Sequence, residues 1–153
     1  KFYQDDFNDG SLIIFHLSGL SYELIVLIKI IVNWLVIQIP FFILIPISGF
    51  LLNIEFFNIK IIFISFLLGS PITTCITSIS GAMNLLNKKN FAIGSLIIMI
   101  LSIPVIIFSV GLIGTEKELM RAQINILMGI MFLFLAITPW VCSICIKLAI
   151  QEK

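Results

Sequence analysis

The stretch Ile30–Ile54, IIVNWLVIQIPFFILIPISGFLLNI, carries no charged side chain between Lys29 and Glu55. A helix of about 25 residues rises 1.5 Å per residue and exceeds the roughly 30 Å hydrocarbon core of a bilayer. Runs of the same kind follow at Ile61–Asn87, Asn90–Thr115 and Ala122–Ile146. Together they predict an all-α membrane protein with transmembrane spans at about 24–52, 60–86, 91–114 and 122–148. Strands are the weaker reading. Barrel strands alternate lipid-facing and lumen-facing residues, whereas these runs are apolar throughout. Hydrocarbon also favours the helix, which satisfies its own backbone hydrogen bonds.

Composition points the same way. Of 153 residues, 60% are hydrophobic and 11% charged, against about 25% charged in an ordinary soluble domain. That excludes a soluble globular enzyme, a disordered segment and a secreted disulfide scaffold. The three cysteines all lie in apolar runs, which is not a disulfide framework. A net charge of +1 leaves no polybasic surface for nucleic acid. The chain therefore reads as a single membrane domain, 1–153.

The few charges set the topology. With four spans, Lys1, Lys29, Lys88, Lys89, Lys147 and Lys153 share one face, and Lys60, Lys117 and Arg121 the other. The positive-inside rule then places both ends inside, in the cytoplasm or the mitochondrial matrix. Lys29 and Lys147 lie within helix ends, where long side chains snorkel. The apolar stretch Gly10–Tyr22 is too short to span and reads as an interfacial amphipathic helix.

Catalytic motifs are missing. No glycine precedes a lysine, so there is no P-loop core, and one histidine cannot build a multi-histidine metal site. Any ATP-driven step belongs to another chain. Cys142-Ser143-Ile144-Cys145 has redox-pair spacing but sits in the last span, where small residues facing a neighbouring helix account for it, and Cys75 reads as packing. His16 reads as a surface or subunit-contact residue.

Within the first span, Lys29, Asn33 and Gln38 are intramembrane polar candidates. Two readings stand: a functional polar site, or a snorkelling lysine with Asn33 and Gln38 bonded across helices. Trp34 and Trp140 suit interface anchoring or packing equally. Pro40 and Pro46 in the first span, Gly69 and Pro71 in the second, Pro104 in the third and Pro139 in the fourth are predicted helix breaks. Breaks in every span suit a transporter that changes shape, or static kinks that fit the packing.

The segment before the first span, Phe2-Tyr3-Gln4-Asp5-Asp6-Phe7-Asn8-Asp9-Gly10-Ser11-Leu12, is acidic, aromatic and turn-prone. Asp9-Gly10 is a turn signal and Ser11 a candidate helix cap. It resembles the acidic stretch and coupling helix of ABC-2-type permeases. The wider chain resembles the haem exporter protein B (CcmB) family, the membrane subunit of the cytochrome c maturation ABC transporter. The residues carrying this are Asp5 to Leu12, Glu23-Leu24, Lys29, Asn33-Trp34, Pro40, Pro46, Leu68-Gly69-Ser70-Pro71, Gly81-Ala82, Ile103 to Phe108 and Thr138-Pro139.

Departures are Ile13, where the family has Glu, and Gly19, where it commonly has Pro. The resemblance implies a six-helix bundle of which four spans are present, the other two lying before Lys1. It implies a non-catalytic inner-membrane subunit, bacterial or mitochondrial, that binds no cofactor itself. ATP would sit on a partner ABC ATPase, and haem would be handled with a haem-handling membrane protein and a haem chaperone. Residues 1–23 would form the cytoplasmic coupling segment, with Asp5, Asp6, Asp9, Gly10, Ser11 and Leu12 docking on the ATPase. Another ABC-2-type exporter and a hydrophobic subunit of a respiratory complex remain alternative readings.

Overall fold

A computed structural model describes residues 2–86, 92–113 and 117–151. Two short helices, α1 (Gln4–Asn8) and α2 (Ser11–Leu17), precede four long ones: α3 (Tyr22–Leu51), α4 (Phe56–Leu86), α5 (Ala92–Gly111) and α6 (Lys117–Gln151). All four long helices are long and apolar enough to cross a membrane. Three begin before the predicted spans, because a charge ends a hydrocarbon run without ending a helix. Glu23, Lys60 and Lys117 are therefore helical.

Helix α4 is the centre of the bundle. It packs against α3, α5 and α6, and α3 also meets α6. Its buried face mixes Ile61, Leu68, Ile72 and Ile76 with Ser65, Thr74, Ser78 and Ser80. The hydroxyls are satisfied at close range: Thr74 donates to the Ser70 carbonyl at 2.9 Å and Ser65 to the Ser109 carbonyl of α5 at 2.7 Å. Without water, that is how a hydroxyl is carried into a core.

Two apolar clusters divide the bundle lengthwise. One joins Ile61, Leu68, Ile72, Val105, Leu112 and Leu127. The other joins Val26 and Ile30 of α3, Cys75 and Leu85 of α4, and Cys142 and Ile146 of α6 to the residues before α3. Phe134 packs against both. The outer faces stay apolar, as at Phe132, Leu133, Trp140 and Ile107, which suits helices surrounded by lipid.

The prolines do not interrupt their helices. Pro40, Pro46, Pro71, Pro104 and Pro139 all lie inside continuous helices, as does Gly69. Each proline removes one donor, and the flanking turns hold because hydrocarbon offers the neighbouring amides no alternative partner. The true turns lie elsewhere. After α3 the Ile54 amide donates to the Gly49 carbonyl at 3.0 Å and the Asn53 amide to the Phe50 carbonyl at 3.2 Å, with Asn53 left-handed at φ 52°. This is a Schellman stop with asparagine in the glycine position.

At Gly69 α4 lies close against α5, since a Cβ there would lie 3.0 Å from Ser109 Oγ. Gly69→Val should therefore cost about 1–3 kcal/mol through overpacking and lower the thermal midpoint of the detergent-purified protein. Gly129→Ala, where an added Cβ meets no atom within 4 Å, should leave the midpoint unlowered or raise it slightly through helix propensity. Equal midpoints for both variants would contradict the close α4–α5 approach.

Candidate functional site

The candidate site is the segment before α3. Spacing divides α1 into two faces, because residues three and four apart share a side of a helix. Asp5, Asn8 and Asp9 form an exposed polar edge. Tyr3 and Phe7 point the other way and are 0% and 4% exposed. The first turn carries Asp5 and Asp6, where the helix dipole favours acidic groups.

Asp6 belongs to the inward half. Its carboxylate forms an ion pair with Lys29 Nζ of α3. The same ammonium lies 5.2 Å from the Tyr3 ring centroid and 5.9 Å from that of Phe2. Lys29 is thus held by a carboxylate and two rings rather than snorkelling away. The sequence places Asp6 and Lys29 on separate elements, and their pairing is visible only once α1 folds back over α3.

Tyr3 reaches furthest into the bundle. Its hydroxyl is 2.7 Å from Ser78 Oγ of α4, and Ser78 Oγ is 3.5 Å from Cys142 Sγ of α6. Burial pushes the phenol well above its ordinary range, so it stays a neutral hydrogen-bonding group. Gly81 makes the approach possible: a Cβ there would lie 2.8 Å from Phe2 Cβ and 3.5 Å from Tyr3 Cδ2. Leu12, 1% exposed, is the third anchor. Nothing in the periodicity of so short a segment marks Tyr3 and Phe7 as buried, so their role is not legible in the sequence.

Beyond Leu12 the segment turns outward. Gly10 is left-handed at φ 75° and forms the N-cap of α2 without a side-chain bond. Ser11 is therefore the first helical residue and not the cap expected of it, because the Asp9-Gly10 turn has already placed Gly10 in the capping position. The serine that caps is Ser21, whose hydroxyl accepts from the Leu24 amide at the head of α3 at 3.4 Å. On α2 and just after it, Ile13, Ile14, Phe15, Leu17 and Leu20 are exposed, Leu17 at 79%. His16 stacks on Tyr22 with ring centroids 4.2 Å apart and its Nδ1 lies 3.1 Å from the Leu20 carbonyl, a surface position as expected.

The remaining polar candidates separate. Asn33 is half-buried. Gln38 is fully buried, and neither amide atom has a hydrogen-bond partner. The α3–α4 bond comes instead from Trp34, whose Nε1 donates to Ser70 Oγ at 2.9 Å. Lys147 of α6 pairs with Glu23 at 3.1 Å, tying those helix ends together. Cys142, Cys145 and Cys75 are free thiols, and Cys142 faces α4 as the small-residue reading requires. A groove of about 500 Å³ lies between α3, α4 and α5 over Gly69, Thr73 and Thr77. The hydroxyls of Thr73 and Thr77 are spent on the carbonyls of Ser70 and Thr74. Among the described residues, no three His, Cys, Asp or Glu side chains come together as a metal site.

Comparison with known proteins identifies the chain. The family described as CcmB protein matches residues 1–149. The chain belongs to the CcmB family. It is 27% identical to heme exporter protein B of Haemophilus influenzae over 154 aligned positions, covering 99% of this chain and 70% of that protein. Heme exporter protein B of Pseudomonas aeruginosa is 25% identical, with 98% of this chain and 68% of the relative covered. That of Bradyrhizobium diazoefficiens is 28% identical over 72% of this chain and 50% of the relative. The CcmB resemblance read from the acidic segment and the proline positions is thus confirmed along the chain.

The Asp6–Lys29 pair invites a double-mutant cycle. Both groups are about two-thirds buried, with 34% and 28% of their side chains exposed. Removing either partner, by Asp6→Asn or Lys29→Met, should cost about 1–3 kcal/mol, between the ranges for exposed and buried pairs. The double variant should cost clearly less than the sum of the two. Additivity within about 0.5 kcal/mol would show that the groups are not coupled.

Proposed function

We propose that this chain is the permease subunit of an ABC transporter for cytochrome c maturation, with its N-terminal segment docking on a separate ATPase. The match to the CcmB family along nearly the whole chain carries the reading. The names of the relatives, heme exporter protein B, support haem export as the transporter's task. The fold supplies a compatible body: four long apolar helices with no soluble domain between them.

The subunit is non-catalytic. ATP is bound and hydrolysed on the partner, and haem is handled by the assembled complex with its membrane partner and haem chaperone. The ATP cycle drives export of haem or release of the haem-loaded chaperone. The protein is a multi-pass component of the inner membrane with both ends inside, as its lysine distribution favours.

The docking role rests on the two-sided form of the segment. The acidic edge Asp5, Asn8 and Asp9 and the apolar face of α2 are open to a soluble partner. The opposite side is rooted in α3, α4 and α6 through Tyr3, Phe7 and Leu12. Asp6 contributes by holding the root rather than by meeting the partner. Gly10 provides the left-handed turn that lets α2 leave α1.

Deleting the gene should abolish covalent haem attachment to c-type cytochromes while leaving b-type cytochromes intact, read by peroxidase staining of membranes. Normal c-type cytochromes in the deletion strain would overturn the assignment. Asp5→Lys with Asp9→Lys should sharply reduce co-purification of the ATPase without lowering the thermal midpoint, because both side chains are exposed and surface changes alter stability by about 0.5 kcal/mol or less. Unchanged co-purification would refute docking through this edge.

A further inference from the structure

The deepest point of the docking segment lies between two helices that run in parallel. Tyr3 has no solvent exposure, and its hydroxyl reaches Ser78 of α4, which in turn reaches Cys142 of α6. Cys142 and Cys75 are both fully buried in the same cluster as Tyr3, Phe7 and Leu12. The tyrosine therefore reaches the Ser78–Cys142 contact at the meeting of α4 and α6. It is delivered from outside the bundle by a segment whose far side is exposed.

The attachment has the character of a seat rather than continuous packing. α1 is a five-residue helix, and the swing between it and α2 is made at a left-handed glycine where an added Cβ would touch nothing within 4 Å. α2 lies outside the apolar clusters except for Leu12. Among the described residues the segment is held by a short list of contacts: three inserted side chains, the Asp6–Lys29 pair, the His16–Tyr22 stack and the close approach at Gly81. Packed cores rearrange between discrete arrangements rather than deforming continuously. A load on the exposed edge of α1 therefore either moves α4 and α6 together with the ring or unseats the ring from between them.

We propose that Tyr3 is a positioning residue, a wedge between α4 and α6 that the ATP cycle of the docked partner withdraws and reseats. The inference rests on the docking reading above and deepens it by naming the side chain through which motion enters the bundle. Seated, Tyr3 shields Cys142. Withdrawn, it leaves Cys142 open from the end of the bundle, which makes a native thiol the reporter of the movement.

The test uses the full-length protein with its partner ATPase in membrane vesicles, every cysteine except Cys142 replaced by alanine, and N-ethylmaleimide as the probe. Mass spectrometry follows labelling of Cys142 with and without ATP and Mg²⁺. Labelling should be slow without nucleotide and several-fold faster during turnover. Tyr3→Ala should label fast in both conditions and lose its nucleotide dependence, whereas a ring with a purely structural role would leave the parent's labelling slow with and without ATP. Equal labelling with and without ATP, in a complex that still hydrolyses ATP, would overturn the wedge. So would a Tyr3→Ala protein whose Cys142 stays as protected as in the parent. Docking itself is read separately, by co-purification of the Asp5→Lys, Asp9→Lys protein, so a failure of the wedge is distinguishable from a failure of docking.

Discussion

A charge, an amide or a hydroxyl carried into hydrocarbon has no water to return to, and this constraint shapes the molecule at every level. At the backbone it enforces four long helices from sequences rich in Ile and Phe, residues that favour strands in water. At the side chains it sends the hydroxyls of Thr74, Thr77 and Thr138 to carbonyls of their own helices. It also explains why helices run through their prolines. The residues around each proline have more to lose by unwinding than the one bond the ring removes.

The same constraint accounts for the docking segment's inward half. Lys29 lies two turns into α3, where partial burial disfavours an unpaired ammonium. Its counter-charge comes from outside the helix bundle, from Asp6 on α1. Meeting that demand pins α1 against α3, and once α1 is pinned Tyr3 and Phe7 fall between α3, α4 and α6. A polar requirement of one transmembrane helix thus fixes the position of an element with almost no helical stability of its own, since five residues form barely more than a nucleus. Among the described residues Gln38 and Ser109 are exceptions: the Gln38 amide and the Ser109 hydroxyl are buried without a partner.

How much of this was legible in the sequence depended on whether the signal was local. The spans were, because an uninterrupted apolar run has the same meaning wherever it occurs. The turn at Asp9-Gly10 was also legible from the residues alone. The two faces of α1 were not: acidic and aromatic residues interleave from Phe2 to Asp9, and only the later folding of the segment onto α3 decides which carboxylate turns inward. Three aspartates that look equivalent in sequence have different lives, Asp5 and Asp9 in solvent and Asp6 on Lys29. Ser11 and Ser21 make the same point for capping. Both precede apolar helical runs, and the chain direction set by the left-handed Gly10 gives the role to Ser21 alone.

The distribution of strong contacts along the bundle bears on how it would transmit force. Both ion pairs of the described residues, Asp6–Lys29 and Glu23–Lys147, lie at the end where α3 begins and α4 and α6 finish. Tyr3–Ser78–Cys142 lies there too. At the other end the α3–α4 turn is closed by backbone bonds at Asn53 and Ile54, with Lys60 4.8 Å above the Phe56 ring. One end is therefore tied by both ion pairs and the Tyr3–Ser78–Cys142 chain, and the other by the α3–α4 turn and the Ser65–Ser109 bond between α4 and α5. A pull applied at the tied end reaches α3 through Lys29, α4 through Ser78 and α6 through Lys147. α5, which joins neither the polar chain nor either ion pair, meets the bundle chiefly through its packing on α4. The arrangement predisposes α3, α4 and α6 to move as a coupled set, with α5 carried along by close contacts such as the one between Gly69 and Ser109.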